Sequence, residues 1–130
     1  MAAFTTSPRN AMLDWLVGNA DPAATATRYI TTFNGDPQGA GTENISTLTG
    51  SSNRIDLTTA MAAAASAQAA NDAIITFTSN ANGNASVNYV AVYDAITAGN
   101  LLASAQVTQK DVTTGDSLTI QVGNCVFEIQ

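Results

Sequence analysis

Apolar and polar residues alternate with a period of two along the second half of the chain, and this alternation predicts β-strands. Short clusters of Gly, Asn and Asp separate the alternating segments and predict tight turns between them. The predicted strands cover residues 73–78, 86–94 and 101–108, and a final pair lies within residues 118–129. We therefore expect the second half of the chain to be a succession of short strands.

The segment 86–94 is apolar on both of its faces. One face carries Val87, Tyr89, Ala91 and Tyr93, and the other carries Val90 and Val92. A strand that is apolar on both faces is usually buried on both. We therefore expect residues 86–94 to form a central strand.

The last two strands have one favourable register if they form a hairpin around Gly123-Asn124. A two-residue turn at this position pairs Val122 with Cys125, Ile120 with Phe127 and Leu118 with Ile129. All six side chains then point to one face, whereas a shift of one residue would turn one strand's set to solvent. This register predicts that Phe127 lies in the core and that Glu128 faces solvent.

Residues 8–17 show a helical pattern. Ser7 is a suitable N-cap, Pro8 suits the first helical position, and Gly18 suits the helix end. The apolar positions that recur at helical spacing are Met12, Leu13, Leu16 and Val17, and Trp15 lies beside them. Two interpretations are open: the helix covers one end of a sheet, or it docks onto a partner.

The first half of the chain has weaker strand patterns at residues 28–33 and 54–59. The alanine-rich tract that follows, residues 60–70, has no N-cap and no stripe of large apolar side chains. Alanine favours a helix, but a helix of this length without such a stripe is marginal. The tract is compatible either with a helix or with a strand followed by a loop.

Together these patterns predict an all-β fold, a β-sandwich or jelly roll with a short N-terminal α-helix. The length of 130 residues is typical of one domain, and no internal repeat of fixed period is present. We therefore expect residues 1–130 to form a single β-sandwich domain.

The charge of the chain limits its partners. The net charge is −6, and the four basic residues do not cluster. Binding to nucleic acid or to an anionic membrane needs a basic surface, so we expect neither partner. Only 11% of the residues are charged, against about 25% in ordinary domains. Such a surface is common where partner subunits cover it, so we expect a homo-oligomer, with a trimer as the favoured state.

Candidate catalytic chemistry is sparse. The chain has no histidine and one cysteine, Cys125, which we expect to be a small buried apolar residue. The candidate carboxylates each lie beside a predicted turn or strand end, where Asp accepts hydrogen bonds from backbone N–H groups; they are Asp56, Asp72, Asp94 and Asp116. We expect no catalytic, cofactor-binding or metal site, and we expect that the protein is not an enzyme.

The aromatic residues allow a different interpretation, in which the protein binds or cleaves sugars. The side chains that could stack on a sugar ring are Trp15, Tyr29, Tyr89 and Tyr93. At strand and helix spacing, aromatic side chains more often belong to the core. We therefore keep sugar binding as an alternative hypothesis.

The segment from Asn88 to Leu102 reads NYVAVYDAITAGNLL and resembles a family of short proteins of tailed phages and prophages. In that family an aromatic and aliphatic strand runs into an Asp-Ala turn, a Gly-Asn pair and two apolar residues. The parts that follow here, Gln106–Thr114, Gly115-Asp116 and Ser117–Ile129, resemble the family's Thr-rich strand, its Gly-Asp turn and its final hairpin. The opening helix around Asn10–Leu16 is also similar.

The resemblance implies a fold and a location but no catalytic residues. Members are commonly described as tail-fibre or virion proteins, so the resemblance implies a structural protein of the virion that is made in the bacterial cytoplasm. The family has a strand and a polar loop where this chain has residues 52–70, which favours a strand followed by a loop there.

A fibre shaft is built from long repeats, which this chain lacks. A compact β-sandwich is closer to a capsid decoration or cement protein, which would bind the major capsid protein and stabilise the head shell. The alternative is a small module of the tail or tail fibre that contacts a receptor or a carbohydrate.

Overall fold

The computed structural model describes residues 3–19, 27–44, 54–78 and 84–128, and it confirms the all-β sandwich with a short N-terminal helix. The strands in the described residues are β1 (Ala3–Phe4), β2 (Tyr29–Asn34), β3 (Thr42–Glu43), β4 (Ile55–Asp56), β5 (Gln68–Ala70), β6 (Ile75–Thr78), β7 (Ala85–Tyr93), β8 (Leu101–Val112), β9 (Ser117–Ile120) and β10 (Val126–Glu128). The helix is α1 (Thr6–Leu16), and a 3₁₀ turn covers Thr58–Ala60.

The main sheet is antiparallel and has the order β1-β8-β7-β2, with β3 and β4 sharing the far edge of β2. The predicted central strand is confirmed, because β7 lies between β2 and β8. Ile30, Val92 and Ala103 of the three strands lie in register and are buried in the core on one face. On the opposite face Thr31 and Ala91 are also fully buried, so these two central strands are buried on both faces at this point.

A β-bulge at Asn88 corrects the predicted faces of β7. Val87 was expected on the face of Tyr89, but it packs in the core with Val92. The ladder to β8 shifts between Val87 and Tyr89, so one extra residue reverses the alternation there. The Asn88 side chain accepts a hydrogen bond from the backbone N–H of Gly35 (2.6 Å), which ties the bulge to the loop after β2.

The second layer consists of two separate two-stranded ladders, β6 with β9 and β5 with β10. Ile75 and Phe77 of β6 are buried, and Leu118 and Ile120 of β9 pack beside them. These side chains fill the space against the main sheet, so this layer closes the sandwich.

The predicted terminal hairpin is wrong. Ile120 pairs with Ile75, and Phe127 pairs with Ala69, so β9 and β10 each pair with an earlier strand and not with each other. Val122 was expected to point inward but is 55% exposed. Phe127 does pack against the core and Glu128 is exposed, as expected, whereas the predicted partner Ile129 lies outside the described residues.

The buried side chain of Asn71 explains why the two strands separate. Its Nδ2 donates to the carbonyl oxygens of Gln121 (2.9 Å) and Ala73 (2.9 Å), and its Oδ1 accepts from the N–H of Cys125 (2.8 Å). Its backbone N–H donates to the carbonyl oxygen of Cys125, and its backbone carbonyl oxygen accepts from the N–H of Gly123. The turn around Gly123 and Asn124 thus wraps around Asn71. The backbone groups of Cys125, which would pair with Val122 at the start of a β9–β10 hairpin, bond to Asn71 instead.

The alanine-rich tract is not helical. After the 3₁₀ turn, residues 61–71 fold back on themselves through a tight turn at Ser66 and Ala67. Both turn residues have positive φ, 53° and 62°, as a type I′ hairpin turn requires. A strand and a loop are present, but the strand β5 follows the loop, which reverses the expected order. The predicted strand at residues 54–59 is reduced to β4 and part of the 3₁₀ turn.

The helix begins two residues before its predicted start. Thr5, not Ser7, is the N-cap residue, and its hydroxyl bonds to the carbonyl oxygens of Leu101 and Leu102 instead of capping the helix. The predicted end at Gly18 is confirmed. Gly18 has φ 74°, and the N–H groups of Gly18 and Asn19 bond back to Trp15 and Asp14, which forms a Schellman motif.

We expect Asn71→Ala to lower the free energy of unfolding by about 3 kcal/mol or more. The substitution leaves two carbonyl oxygens and one N–H group without their partner in the protein interior. Asn124→Ala is the matched control, because Asn124 lies in the same turn but is exposed; it should change stability by about 0.5 kcal/mol at most. Denaturant melts of both variants measure the difference, and equal costs would contradict the role of Asn71.

We expect Ala67→Gly to stabilise the protein by about 0.5–1 kcal/mol, because glycine adopts positive φ without the clash that a Cβ makes. Ala69→Gly is the control: Ala69 lies in β5, where glycine should be destabilising by a similar amount. Thermal melts of the two variants should therefore shift in opposite directions. A shift in the same direction would show that the turn at Ser66 and Ala67 has a different conformation.

Candidate interaction surface

Helix α1 is attached to the main sheet only near its N-terminus. Phe4 pairs with Ala103, and the N–H of Thr5 donates to the carbonyl of Leu102 (2.8 Å). No residue of α1 is buried. The helix therefore leaves the end of the sheet without packing an apolar face against it.

The apolar side chains of α1 are exposed to an unusual degree. The exposed fractions are 57% for Leu13, 57% for Trp15, 72% for Leu16 and 73% for Val17. Apolar residues at this spacing normally face a core. The apolar side chains of α1 therefore do not pack over the end of the sheet, and docking onto a partner stays a prediction.

An apolar groove of about 730 Å³ separates α1 from the body of the sandwich. The helix contributes one wall through Pro8, Ala11, Met12 and Trp15. Leu102 and Ala103 of the main sheet contribute to the floor, and the remaining wall includes Leu57 and Met61, which flank the 3₁₀ turn, and Phe127 of β10. The groove and the exposed side chains of Leu13, Leu16 and Val17 on α1 together form one candidate surface, which we call the α1 surface.

Charges on the α1 surface are balanced, although the chain as a whole is acidic. Arg28 and Asp94 line the groove, and Arg9 and Asp14 lie on the helix. A hydrogen bond from the Asn100 side chain is the largest cause that lowers the pKa of the Asp94 carboxyl. A hydrogen bond from the Asn100 backbone N–H and the charge of Arg28 lower this pKa further. Asp94 is therefore ionised at neutral pH and balances Arg28.

The sequence-predicted carboxylates do not come together. Asp56 accepts from the N–H of Thr58 (2.8 Å), Asp94 from the N–H of Asn100 (2.6 Å), and Asp116 from the N–H of Thr113 (3.2 Å). Asp72 bonds through its backbone N–H to Ala60. Three of the four carboxylates thus cap backbone groups as expected, and no group of three potential metal ligands occurs within the described parts of the chain.

Cys125 lies beside a cavity of about 340 Å³ between the two layers, which Val92 and Phe127 also line. It packs against the core, and burial raises the pKa of its thiol. A raised pKa keeps the thiol protonated at neutral pH. Cys125 therefore behaves as the small apolar residue that was expected, although it is only partly buried.

Three of the four aromatic residues proposed for sugar stacking share one face of the main sheet, where Tyr29 pairs with Tyr93 and Tyr89 pairs with Phe33. The guanidinium of Arg54 lies 3.6 Å from the centre of the Tyr93 ring, and Phe33 stacks on the same tyrosine at 6.4 Å. Burial raises the pKa of Tyr93, with Arg54 acting in the opposite direction. A sugar would have to displace Arg54 to stack there. The fourth candidate, Trp15, lies on α1 and lines the groove, which none of the three tyrosines lines.

Arg54 is a buried ionic centre that sequence reasoning missed. It forms a two-point ion pair with Glu43 (2.7 and 3.1 Å) and donates to the carbonyl oxygens of Ala95 (2.9 Å) and Ala98 (2.7 Å). These contacts hold the turn between β7 and β8 against the sheet. No local pattern marks Arg54, because its partners lie 11 to 44 residues away along the chain.

None of the helices in the described ranges has the length and hydropathy that crossing a membrane requires. The comparison with curated proteins gives no match. A family model described as "Podophage GP4 fiber I protein gp80" matches residues 3–128, which is nearly the whole chain. The match includes α1, both layers of the sandwich and every residue of the α1 surface.

We expect Arg54→Ala to destabilise the protein by about 3–5 kcal/mol, because it leaves the partly buried Glu43 without its partner and frees the two carbonyl oxygens. Lys110→Ala is the control, since Lys110 is exposed on β8. Its effect should stay within about 0.5 kcal/mol. If denaturant melts give Arg54→Ala a cost as small as that of Lys110→Ala, the ion pair does not hold this turn.

Proposed function

The chain belongs to the family of the Podophage GP4 fiber I protein gp80 and is thus a structural protein of a phage virion, and we propose that it serves there as a fibre-associated module. In this role it binds other virion subunits and catalyses no reaction. The family description supports the fibre location, and the α1 surface supports the binding role.

The exposed apolar side of α1 is the observation that carries the binding role. Its large side chains Leu13, Trp15, Leu16 and Val17 are each at least 57% exposed. Exposed large apolar side chains that cluster on one element are typical of interaction sites. A protein that binds only the assembled state stabilises that state by mass action, so binding through α1 is sufficient for a structural role.

The proposal that the protein is not an enzyme is supported by the way its polar groups are used. The chain has no histidine, its thiol is protonated, and three of its candidate carboxylates cap backbone N–H groups. The buried Arg54 is occupied by Glu43 and two carbonyl oxygens. These groups are engaged in holding the fold.

Capsid decoration is the second candidate function. In this role the protein would be a homotrimeric cement protein that binds the major capsid protein of the head. The supporting observation is the body of the molecule, in which two β layers share one core without a repeated shaft element in the 130 residues. A rigid body with one apolar docking surface suits a protein seated on a shell.

A phage that lacks the gene tests both locations. If the protein is fibre-associated, particles without it should adsorb several-fold more slowly to host cells, while heat should release their genome at the wild-type temperature. A head decoration predicts the reverse: normal adsorption and genome release at a lower temperature. Wild-type protein supplied from a plasmid is the control and should restore the lost property.

Antibody labelling of intact wild-type particles, viewed by electron microscopy, gives the location directly. Label at the tail end supports the fibre module, and label over the head supports the decoration protein. Particles that carry no label, adsorb normally and keep their genome would contradict the structural role in either location.

A further inference from the structure

A slot opens between the two layers of the sandwich at β8 and β10, and it is the cavity of about 340 Å³ described above. Ile30 of β2 and Val90 and Val92 of β7 line it from the core face of the main sheet. β8 contributes the consecutive residues 103–107, and the last turn together with β10 contributes the consecutive residues 124–128. We call this cavity the β8–β10 slot.

The two consecutive runs of lining residues show that the slot lies along strand edges. Successive side chains of a strand point to opposite faces of its sheet, so a cavity over one face is lined by every second residue. This is the case for Val90 and Val92 of β7. β8 and β10, in contrast, line the slot with every residue. The slot therefore extends from the core face of the main sheet to the edges of β8 and β10.

Both edges lack a neighbouring strand in the part of the chain that the structure describes. On one side β8 pairs with β7, and on the other side β1 reaches only Ala103 and Ser104. β10 pairs with β5 on one side only. An unpaired edge presents a row of backbone N–H and C=O groups to which an added strand can bond. The backbone at the slot therefore suits an extended polypeptide segment.

The interior of the slot suits apolar side chains. Ile30, Val92 and Ala103 are core residues at its floor, and Cys125 and Phe127 pack beside them. An apolar cavity of about 150 Å³ holds one benzene molecule, so 340 Å³ has room for about two large apolar side chains. Every second side chain of an added strand points to the same face. Positions i and i+2 of an added strand can therefore fill the slot together.

Charge indicates what the other positions of such a strand carry. Glu128 is the only charged residue among the described residues that line the slot, and it is exposed. Further along β8, the exposed Lys110 and Asp111 balance each other. The whole chain has a net charge of −6, so it attracts a basic segment and repels an acidic one, including a segment of a second copy. The charge therefore favours a basic segment of a different protein.

We propose that the β8–β10 slot binds an extended basic segment of another virion subunit, which adds to the free edge of β8 as a strand and places two apolar side chains, separated by one basic residue, between the layers. Backbone hydrogen bonds supply affinity in this mode of binding, and the slot supplies specificity. The site goes beyond the proposed function, because no residue of α1 lines the slot. The slot and the groove beneath α1 share only Val92, Ala103 and Phe127 as walls.

A fluorescent synthetic peptide, Thr-Lys-Val-Lys-Ile-Lys-Thr, tests the proposal by the change in its anisotropy when purified protein is added. The control peptide Thr-Lys-Lys-Val-Ile-Lys-Thr has the same composition, but its two apolar residues are adjacent and point to opposite faces. It should bind about tenfold more weakly, because only one apolar side chain can enter the slot. The alternating peptide with Glu in place of Lys should also bind more weakly.

Two measurements on the protein locate the bound peptide. Cys125 is the only cysteine and lines the slot, so the alternating peptide should slow its reaction with a thiol reagent several-fold. Hydrogen exchange reports on the backbone of β8. The amides of residues 105–111 should exchange more slowly when the peptide is bound, whereas exchange in β6 should not change.

Ala105→Leu should weaken binding of the alternating peptide several-fold, because Ala105 lines the slot and a larger side chain fills it. Thr108→Leu is the matched control, since Thr108 is exposed on β8 and does not line the slot. It should bind as the wild type does, and far-ultraviolet circular dichroism checks that both variants are folded. If Ala105→Leu does not fold, a benzyl group attached to Cys125 of the wild type through a disulfide blocks the slot instead. A reductant should then restore binding.

Four results would overturn the proposal. They are no binding of the alternating peptide, equal binding of the three peptides, binding that leaves Cys125 reactivity and β8 exchange unchanged, and binding that a filled slot does not weaken. The deletion phage described above tests the proposed function separately. A deletion phage with a defect and a protein that does not bind the peptide would refute the slot and leave the structural function standing. Peptide binding together with a deletion phage that has no defect would refute the structural function and leave the slot standing.

Discussion

The second layer of the sandwich depends on the hydrogen bonds of Asn71. The side chain is 2% exposed and bonds to the carbonyl oxygens of Gln121 and Ala73 and to the N–H of Cys125. These bonds separate the two C-terminal strands, so each strand is free to pair elsewhere. Because a buried amide must be satisfied, the position of this one residue sets the path of the chain on both sides of it.

The separation of the strands has a consequence for the α1 surface. Since β10 pairs with β5 and not with β9, Phe127 and Ala69 come to line the groove beneath α1. The opposite wall is the helix, which is held at its N-terminal end by Thr5 and packs no residue of its own. The open apolar groove and the exposed helix thus follow from two anchors, Asn71 in the second layer and Thr5 at the edge of the main sheet.

The alternation of residues was sufficient to predict the all-β class, the position of most strands and the central place of β7. It could not predict the partners of β9 and β10, because these depend on Asn71, which lies 50 or more residues away in sequence. The bulge at Asn88 and the early helix start after the N-cap residue Thr5 also depend on distant backbone groups. For α1, the sequence showed an apolar face but could not decide what it contacts, since that depends on where the helix lies.

Hydrogen exchange of the protein, measured by mass spectrometry in isolation at low concentration and within purified virions, tests the central claim that α1 is a docking element. The helix has no packed face in the single chain, so its amides should exchange quickly in isolation. In the virion we predict strong protection over residues 6–17, while β6 of the core should be equally protected in both states. Equally fast exchange of α1 in the virion and in isolation would contradict the account.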